Sequence, residues 1–349
     1  MCADKELKIP LWKKNEYFPK SDGSWMVLDG KVKKTVSKRD ATTNAKKWNY
    51  LNTILYATPS TSQFLPPILV PELSNFAYAS VLGNMKKMAL ITFIVSAAYF
   101  FLFSGLVFRQ VTNIAIVFVM TLSFLYFYAE YRYSLKNKDI VIERSLYLNW
   151  IRRNNGFNYY ALLATICFFG LMQLIFQVFG SSEYYLIKKI GVIYTSIDEK
   201  EYWRFFIGPF LHSGLSHWIV NTTNIIIFFP LLNAFRSKIH LVLVYASIVA
   251  SAIMAYTFRD AATSEVEGFV GVSASVYYVL GFMLSNMAFN KRWYPKNIGF
   301  SLVFITIFML TLPYTYSNKI NVISHITGLL LGLIAGAFFS PPVTVKNNN

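Results

Sequence analysis

Apolar residues in this chain run in long, charge-free blocks, not in the period of two that marks a half-buried strand. The blocks predict eight membrane-crossing helices, at about 88–108, 112–130, 156–180, 214–235, 239–257, 269–289, 297–313 and 320–340. Most reach the ~20 residues needed to cross hydrocarbon, and the seventh is short. The first two predict a transmembrane hairpin over 88–130, with a tight turn at Arg109-Gln110. Polar residues 131–155 read as a basic linker, and the last six blocks form one region, 156–340. Residues 1–87 carry scattered prolines and no sustained period. They read as a basic, largely disordered region, residues 1–50 above all, with Phe64 to Leu82 at the membrane interface. Residues 341–349 read as a tail.

Composition agrees with this pattern. The chain has 349 residues, is 55% hydrophobic and 17% aromatic, and has a mean hydropathy of +0.41. These values exclude an ordinary soluble domain and predict an all-α polytopic membrane protein. Cys2 and Cys167 are too few for a disulfide framework, and Cys167 reads as a space-filler. The first apolar block comes too late for a secretory signal, and Asp4, Glu6 and Glu16 argue against a mitochondrial presequence.

A net charge of +16 raises nucleic acid as a partner, but the distribution argues for topology. With a cytoplasmic N-terminus and eight spans, 26 of the 33 Lys and Arg fall on the cytoplasmic side. That is the positive-inside bias. Both termini are expected in the cytoplasm, membrane lipid is the expected contact of the basic tail, and no nucleic-acid partner is expected. Which membrane holds the chain is not read from these residues.

Candidate chemistry lies near the non-cytoplasmic ends of three blocks. His217 and Asn221 fall near the start of the block at 214–235 and share a helix face, being four residues apart. Ser273 lies one or two turns into the block at 269–289, and His325 at a similar depth in the last. Titratable groups in hydrocarbon are costly and usually mark function. Ser273 needs a base to become a nucleophile, and His325 is available. No Asp or Glu follows Glu267 and none of the last six blocks contains a carboxylate, so a Ser–His dyad is the ceiling. Acyl transfer also needs donors for the developing oxyanion, which His217, Asn221 and the Ser273 amide can supply. Gly271 permits close backbone approach. Glycines recur every fourth residue at Gly328, Gly332 and Gly336, a smooth stripe for a neighbouring helix, expected to be the serine helix with Gly281 and Ala274.

Other polar residues have simpler readings. Ser275 is expected to pack, His240 to sit at the inner interface, and Gln173 and Gln177 to share a face and bond between helices. The aromatic-rich loop 181–213 is expected partly in the outer leaflet. No His is followed by Glu, so a zinc HExxH site is absent, and a membrane aspartyl protease would need carboxylates within spans. No metal or cofactor is implied.

Four segments together resemble the rhomboid intramembrane serine proteases. They are Trp203-Arg204; His212-Ser-Gly-Leu-Ser-His217-Trp-Ile-Val-Asn221; Gly271-Val-Ser273-Ala-Ser-Val-Tyr277 with Gly281; and His325-Ile-Thr-Gly328 with Gly332. The resemblance covers about 156–340. It implies a six-helix core, here preceded by a two-helix hairpin, that cleaves single-pass transmembrane proteins near their luminal or extracellular end. It implies Ser273 as nucleophile, His325 as base and acid, and His217, Asn221 and the Ser273 amide as oxyanion donors. Tyr277 would stack on the base, His212 would support the loop and the second core helix, and Arg204 would anchor the first loop. Substrates would be helices that unwind easily, with small residues at the cut. Three features depart from the family pattern. Ala274 stands where glycine is usual, Asn233 stands where an acid is common, and two helices precede the core instead of one. The rival reading is a rhomboid-like pseudoprotease that binds transmembrane segments without cleaving them.

Overall fold

Hydrocarbon offers no partner to backbone N–H and C=O groups, so apolar segments that cross it must bond within themselves. Each of the eight apolar blocks is helical in the computed structural model, which describes residues 9–13, 18–29, 31–49, 52, 54–103, 111–153, 157–179, 185–233, 235, 239–259, 267–312, 321–339 and 343–344. In chain order the elements are β1 (Ile9–Pro10), β2 (Met26–Asp29), β3 (Val32–Thr35), α1 (Lys38–Ala45), β4 (Leu55–Ala57), α2 (Pro71–Phe103), α3 (Val111–Lys136) and α4 (Lys138–Arg153). There follow α5 (Phe157–Val178), α6 (Tyr185–Ile190), β5 (Val192–Ile193), α7 (Tyr194–Asp198), α8 (Arg204–Ile207), α9 (Leu215–Phe228), α10 (Pro230–Asn233) and α11 (Ile239–Thr257). The last are β6 (Gly268–Phe269), α12 (Ser273–Phe289), α13 (Ile298–Thr311), α14 (Val322–Phe338) and β7 (Val343–Thr344).

Among the described residues, five helical stretches are long and apolar enough to span: Pro71–Phe101, Ile114–Lys136, Tyr160–Val178, Leu215–Leu232 and Ile239–Thr257. The apolar helices α12, α13 and α14 are shorter, at 17, 14 and 17 residues. The chain is an integral membrane protein of all-α architecture. The expected turn at Arg109-Gln110 and most of the tail 341–349 lie outside the described residues, as does the side chain of Asn233.

Two units divide the chain. The first comprises Met1–Arg153, Lys291–Tyr316 and Pro342–Asn349. Its N-terminal part corrects the expectation of a largely disordered 1–87. A three-stranded antiparallel sheet, ordered β3-β2-β4, pairs Val27 with Lys34 on one side and Tyr56 on the other. Adjacent residues of β2 point to opposite faces. Val27 packs with Ala41, Ala45, Tyr56, Val70 and Leu73, and Leu28 with Phe18, Leu55, Ala57 and Phe64. Lys33 and Lys34 lie outside this core, exposed on β3, an edge strand where lysine discourages pairing with other chains. Ser37 caps α1, its Oγ accepting from the Asp40 N–H at 3.1 Å.

The expected linker 131–155 is also helical over 131–136 and 138–153, with 154–155 outside the described residues. It comprises the end of α3 and all of α4, and Arg144 of α4 forms a buried ion pair with Glu130 of α3. Arg144 Nη2 further donates to the Asn297 carbonyl at 3.0 Å. Helix α13, expected in the six-helix core, groups with this first unit. Tyr126 of α3 stacks on Phe304 with centroids 3.8 Å apart and bonds Ser301 Oγ at 3.0 Å.

The second unit comprises Asn154–Asn290 and Ser317–Pro341. Helix α12 is buried along nearly its whole length. Its tightest neighbour is α14. A methyl group on Gly328, Gly332 or Gly336 would press into the backbone of Ala274, Tyr278 or Phe282, and one on Gly281 into Leu329 and Leu333. The glycine stripe therefore meets the serine helix, as its spacing predicted. Before α9, β5 pairs with β6 in register Val192↔Phe269, over a small core with Tyr194, Ile197 and Phe205. His240 packs inside the protein. It is buried with its ring centroid 5.1 Å from Phe282 and 4.7 Å from Phe339.

Candidate active site

The N-terminal portions of α9, α12 and α14 supply the site. Ser273 is the first residue of α12, so its N–H lacks an intrahelical acceptor and carries the positive end of the helix dipole. Its Oγ lies 2.9 Å from His325 Nε2. One turn along α12, Tyr277 stacks on the His325 ring, with centroids 4.3 Å apart and planes at 25°. That ring contact restrains the imidazole plane.

Gly271, two residues before the serine, has φ +108°, a conformation that favours glycine, and its N–H donates to the Pro209 carbonyl at 2.9 Å. A Cβ at this position would lie 2.7 Å from His217 Cε1, 2.9 Å from His217 Nε2 and 3.5 Å from Asn221 Nδ2. The space beside Gly271 is thus one that ring and amide both face. Asn221 is buried, and its Nδ2 has no hydrogen-bond partner among the described residues. An unpaired buried donor costs about 1–3 kcal/mol, which a bound anion or carbonyl would recover.

Support comes from the preceding loop. His212 is buried, its ring edge-on to His217 with centroids 5.2 Å apart. Burial, with a smaller contribution from His217, pushes the His212 pKa down to about 3, so its ring is neutral at physiological pH. Arg204 is buried and far from the chemistry in role. Its Nη1 donates to the Gly191 carbonyl at 2.9 Å, and its Nε meets Glu201 at 2.5 Å. It therefore ties α8 to the loop before β5.

Sequence reasoning gave Gln173 only a generic bond between helices. Its actual partner is the backbone of His212. Nε2 donates to the carbonyl and Oε1 accepts from the N–H, both at 2.9 Å. Ser213 was overlooked because it is one small hydroxyl in a loop. Its Oγ is 3.0 Å from His217 Nδ1. Ser275, expected to pack, turns back to the Val272 carbonyl at 2.6 Å. Among the described residues no group of His, Cys, Asp and Glu could hold a metal ion.

Comparison with known proteins agrees with this geometry. The family model "Rhomboid domain" matches residues 199–342. RHOMBOID-like protein 6, mitochondrial, of Arabidopsis thaliana is 28% identical over 153 residues, covering 43% of this chain and 48% of the relative. The rhomboid-family protein YdcA of Bacillus subtilis (strain 168) is 23% identical over 190 residues, covering 53% of this chain and 93% of the relative. RHOMBOID-like protein 1 of Arabidopsis thaliana is 25% identical over 156 residues, covering 44% of this chain and 39% of the relative. The chain thus spans about half or less of the two plant relatives' length. The matched segment contains Arg204, His212, His217, Asn221, Gly271, Ser273, Tyr277 and His325, and over it the chain is similar to the rhomboid family.

Proposed function

We propose that this protein is a serine endopeptidase that cuts transmembrane proteins within the membrane, near the non-cytoplasmic end of the substrate helix. The observation that carries the reading is the 2.9 Å contact between Ser273 Oγ and His325 Nε2, on helices from distant parts of the chain. The hydroxyl donates to Nε2 and, as its oxygen attacks the scissile carbonyl carbon, the proton passes to the imidazole. The carbonyl oxygen becomes an oxyanion, received by the Ser273 N–H, Asn221 Nδ2 and His217 Nε2. When the C–N bond breaks, His325 returns its proton to the departing amine. A water molecule then attacks the acyl-serine, with His325 again taking and returning a proton. No carboxylate takes part, and Tyr277 holds the base by stacking.

The substrates we infer are single-pass membrane proteins, and both termini of this chain are inferred to be cytoplasmic. The test is labelling by a fluorophosphonate, together with cleavage of a model transmembrane substrate in lipid vesicles. Wild type should label and cleave. Ser273→Ala and His325→Ala should abolish cleavage, because nucleophile and base act as one unit. Full activity in either variant would refute the assignment. A folded wild type that neither labels nor cleaves would favour a non-cleaving binder of transmembrane segments. Ala274, buried where Gly328 crosses α12, is the residue that would then be changed to glycine first.

A further inference from the structure

A neutral histidine carries its hydrogen on one ring nitrogen only. If His217 is to donate into the space beside Gly271, that hydrogen must sit on Nε2, the nitrogen nearest that space. Two groups of Ser213 address the opposite nitrogen. Its backbone N–H is 3.4 Å from Nδ1 and its Oγ is 3.0 Å away. An amide N–H can donate but not accept, so Nδ1 is held as an acceptor and the proton is left on Nε2. We propose that Ser213 is a positioning residue that sets the His217 tautomer for donation to the oxyanion, and that Gln173 holds Ser213 in place. This inference rests on the protease reading above.

Gln173 reaches from α5 and grips both backbone groups of His212, the residue immediately before Ser213. The amide therefore fixes the peptide from which the Ser213 N–H projects. Helix α5 also meets α9 itself. Trp218 Nε1 donates to the Ile166 carbonyl at 3.2 Å, and the indole covers Gly170, where any side chain would collide with it. The start of α9 is thus fixed to α5 on both sides of His217, and the His212 ring blocks one direction of tilt.

The test uses the full chain in lipid vesicles and has two readouts. The first is the rate of Ser273-dependent cleavage in a double-mutant cycle with His217→Ala. Ser213→Ala should lower kcat about threefold to tenfold with KM unchanged, less than the loss from removing a donor outright. Ser213→Thr should restore most of it, and Gln173→Ala should resemble Ser213→Ala. In the His217→Ala background, Ser213→Ala should cost nothing further. An equal loss in that background would mean that Ser213 only stabilises the loop, and would overturn the proposal. The second readout is independent of catalysis. The chain has four histidines, so 15N spectra of histidine-labelled protein can be assigned by difference with His217→Asn. Wild-type His217 should show a protonated Nε2 and an unprotonated Nδ1; Ser213→Ala, which keeps the N–H, should raise the alternative tautomer in part, and Ser213→Pro, which removes both the N–H and the hydroxyl, should raise it further. The Nδ1–H form in wild type, or a spectrum unchanged by Ser213→Pro, would overturn the proposal even in an active enzyme. Serine labelling that persists in Ser273→Ala would instead overturn the protease reading.

Discussion

Asn221 and Gly271 show how much of this site depends on single atoms. The Asn221 amide nitrogen is buried without a hydrogen-bond partner among the described residues, a cost that makes sense if a substrate oxygen completes it. Asn221→Ala is therefore expected to reduce kcat by about 10²–10³ with little change in KM, measured on a transmembrane substrate in vesicles. Equal rates for variant and wild type would remove Asn221 from the oxyanion site. Gly271→Ala should be at least as damaging. Its methyl would sit 2.7 Å from the His217 ring, on a backbone whose φ of +108° an L side chain rarely adopts. The measurement that separates this from global unfolding is Tm, which should fall by only a few degrees while kcat collapses.

At the scale of elements, the seam between α12 and α14 holds Ser273 and His325, the proposed nucleophile and base, together. Glycines let the backbones approach more closely than any side chain would permit. Gly332→Val would force a branched side chain into the carbonyl of Tyr278. We expect a destabilisation of about 3 kcal/mol or more, read as a large fall in Tm, with loss of fluorophosphonate labelling. Retained labelling at wild-type rate would show that the seam does not set the distance between Ser273 and His325. This seam was legible in the sequence because a four-residue glycine period has one common meaning in an apolar helix. The three site helices were legible for a similar reason: a lone polar residue is conspicuous in a charge-free block. The loop contacts of Gln173 and Ser213 were not. They join residues 39 and 4 apart, and neither residue type has a spacing rule that names its partner.

For the molecule as a whole, the first unit is where sequence and structure part company. Over 1–87 the prolines are scattered and no period is sustained, so the region reads as disordered. The folded sheet emerges only when Val27 and Leu28 are assigned to opposite faces of one strand. Likewise the arginines of 131–155 read as linker charge, whereas Arg144 is buried against Glu130. Removing one member of a buried pair leaves the other uncompensated. Arg144→Ala should thus destabilise the first unit by about 3–5 kcal/mol, measured by thermal unfolding in detergent. The double variant Arg144→Met with Glu130→Gln should recover much of that loss. No recovery would mean that the bond from Arg144 to the Asn297 carbonyl, not the charge pair, carries the stabilisation.

Ser273 stands first in α12, His217 third in α9 and His325 fourth in α14. Each helix therefore turns its electropositive end toward the same small volume, and no lysine or arginine is needed to make that volume receptive to negative charge. Tetrahedral inhibitors bearing a formal anion, such as boronates, should consequently outbind neutral mimics of the same shape. Added salt should weaken them only slightly, because peptide dipoles sheltered from water are poorly screened.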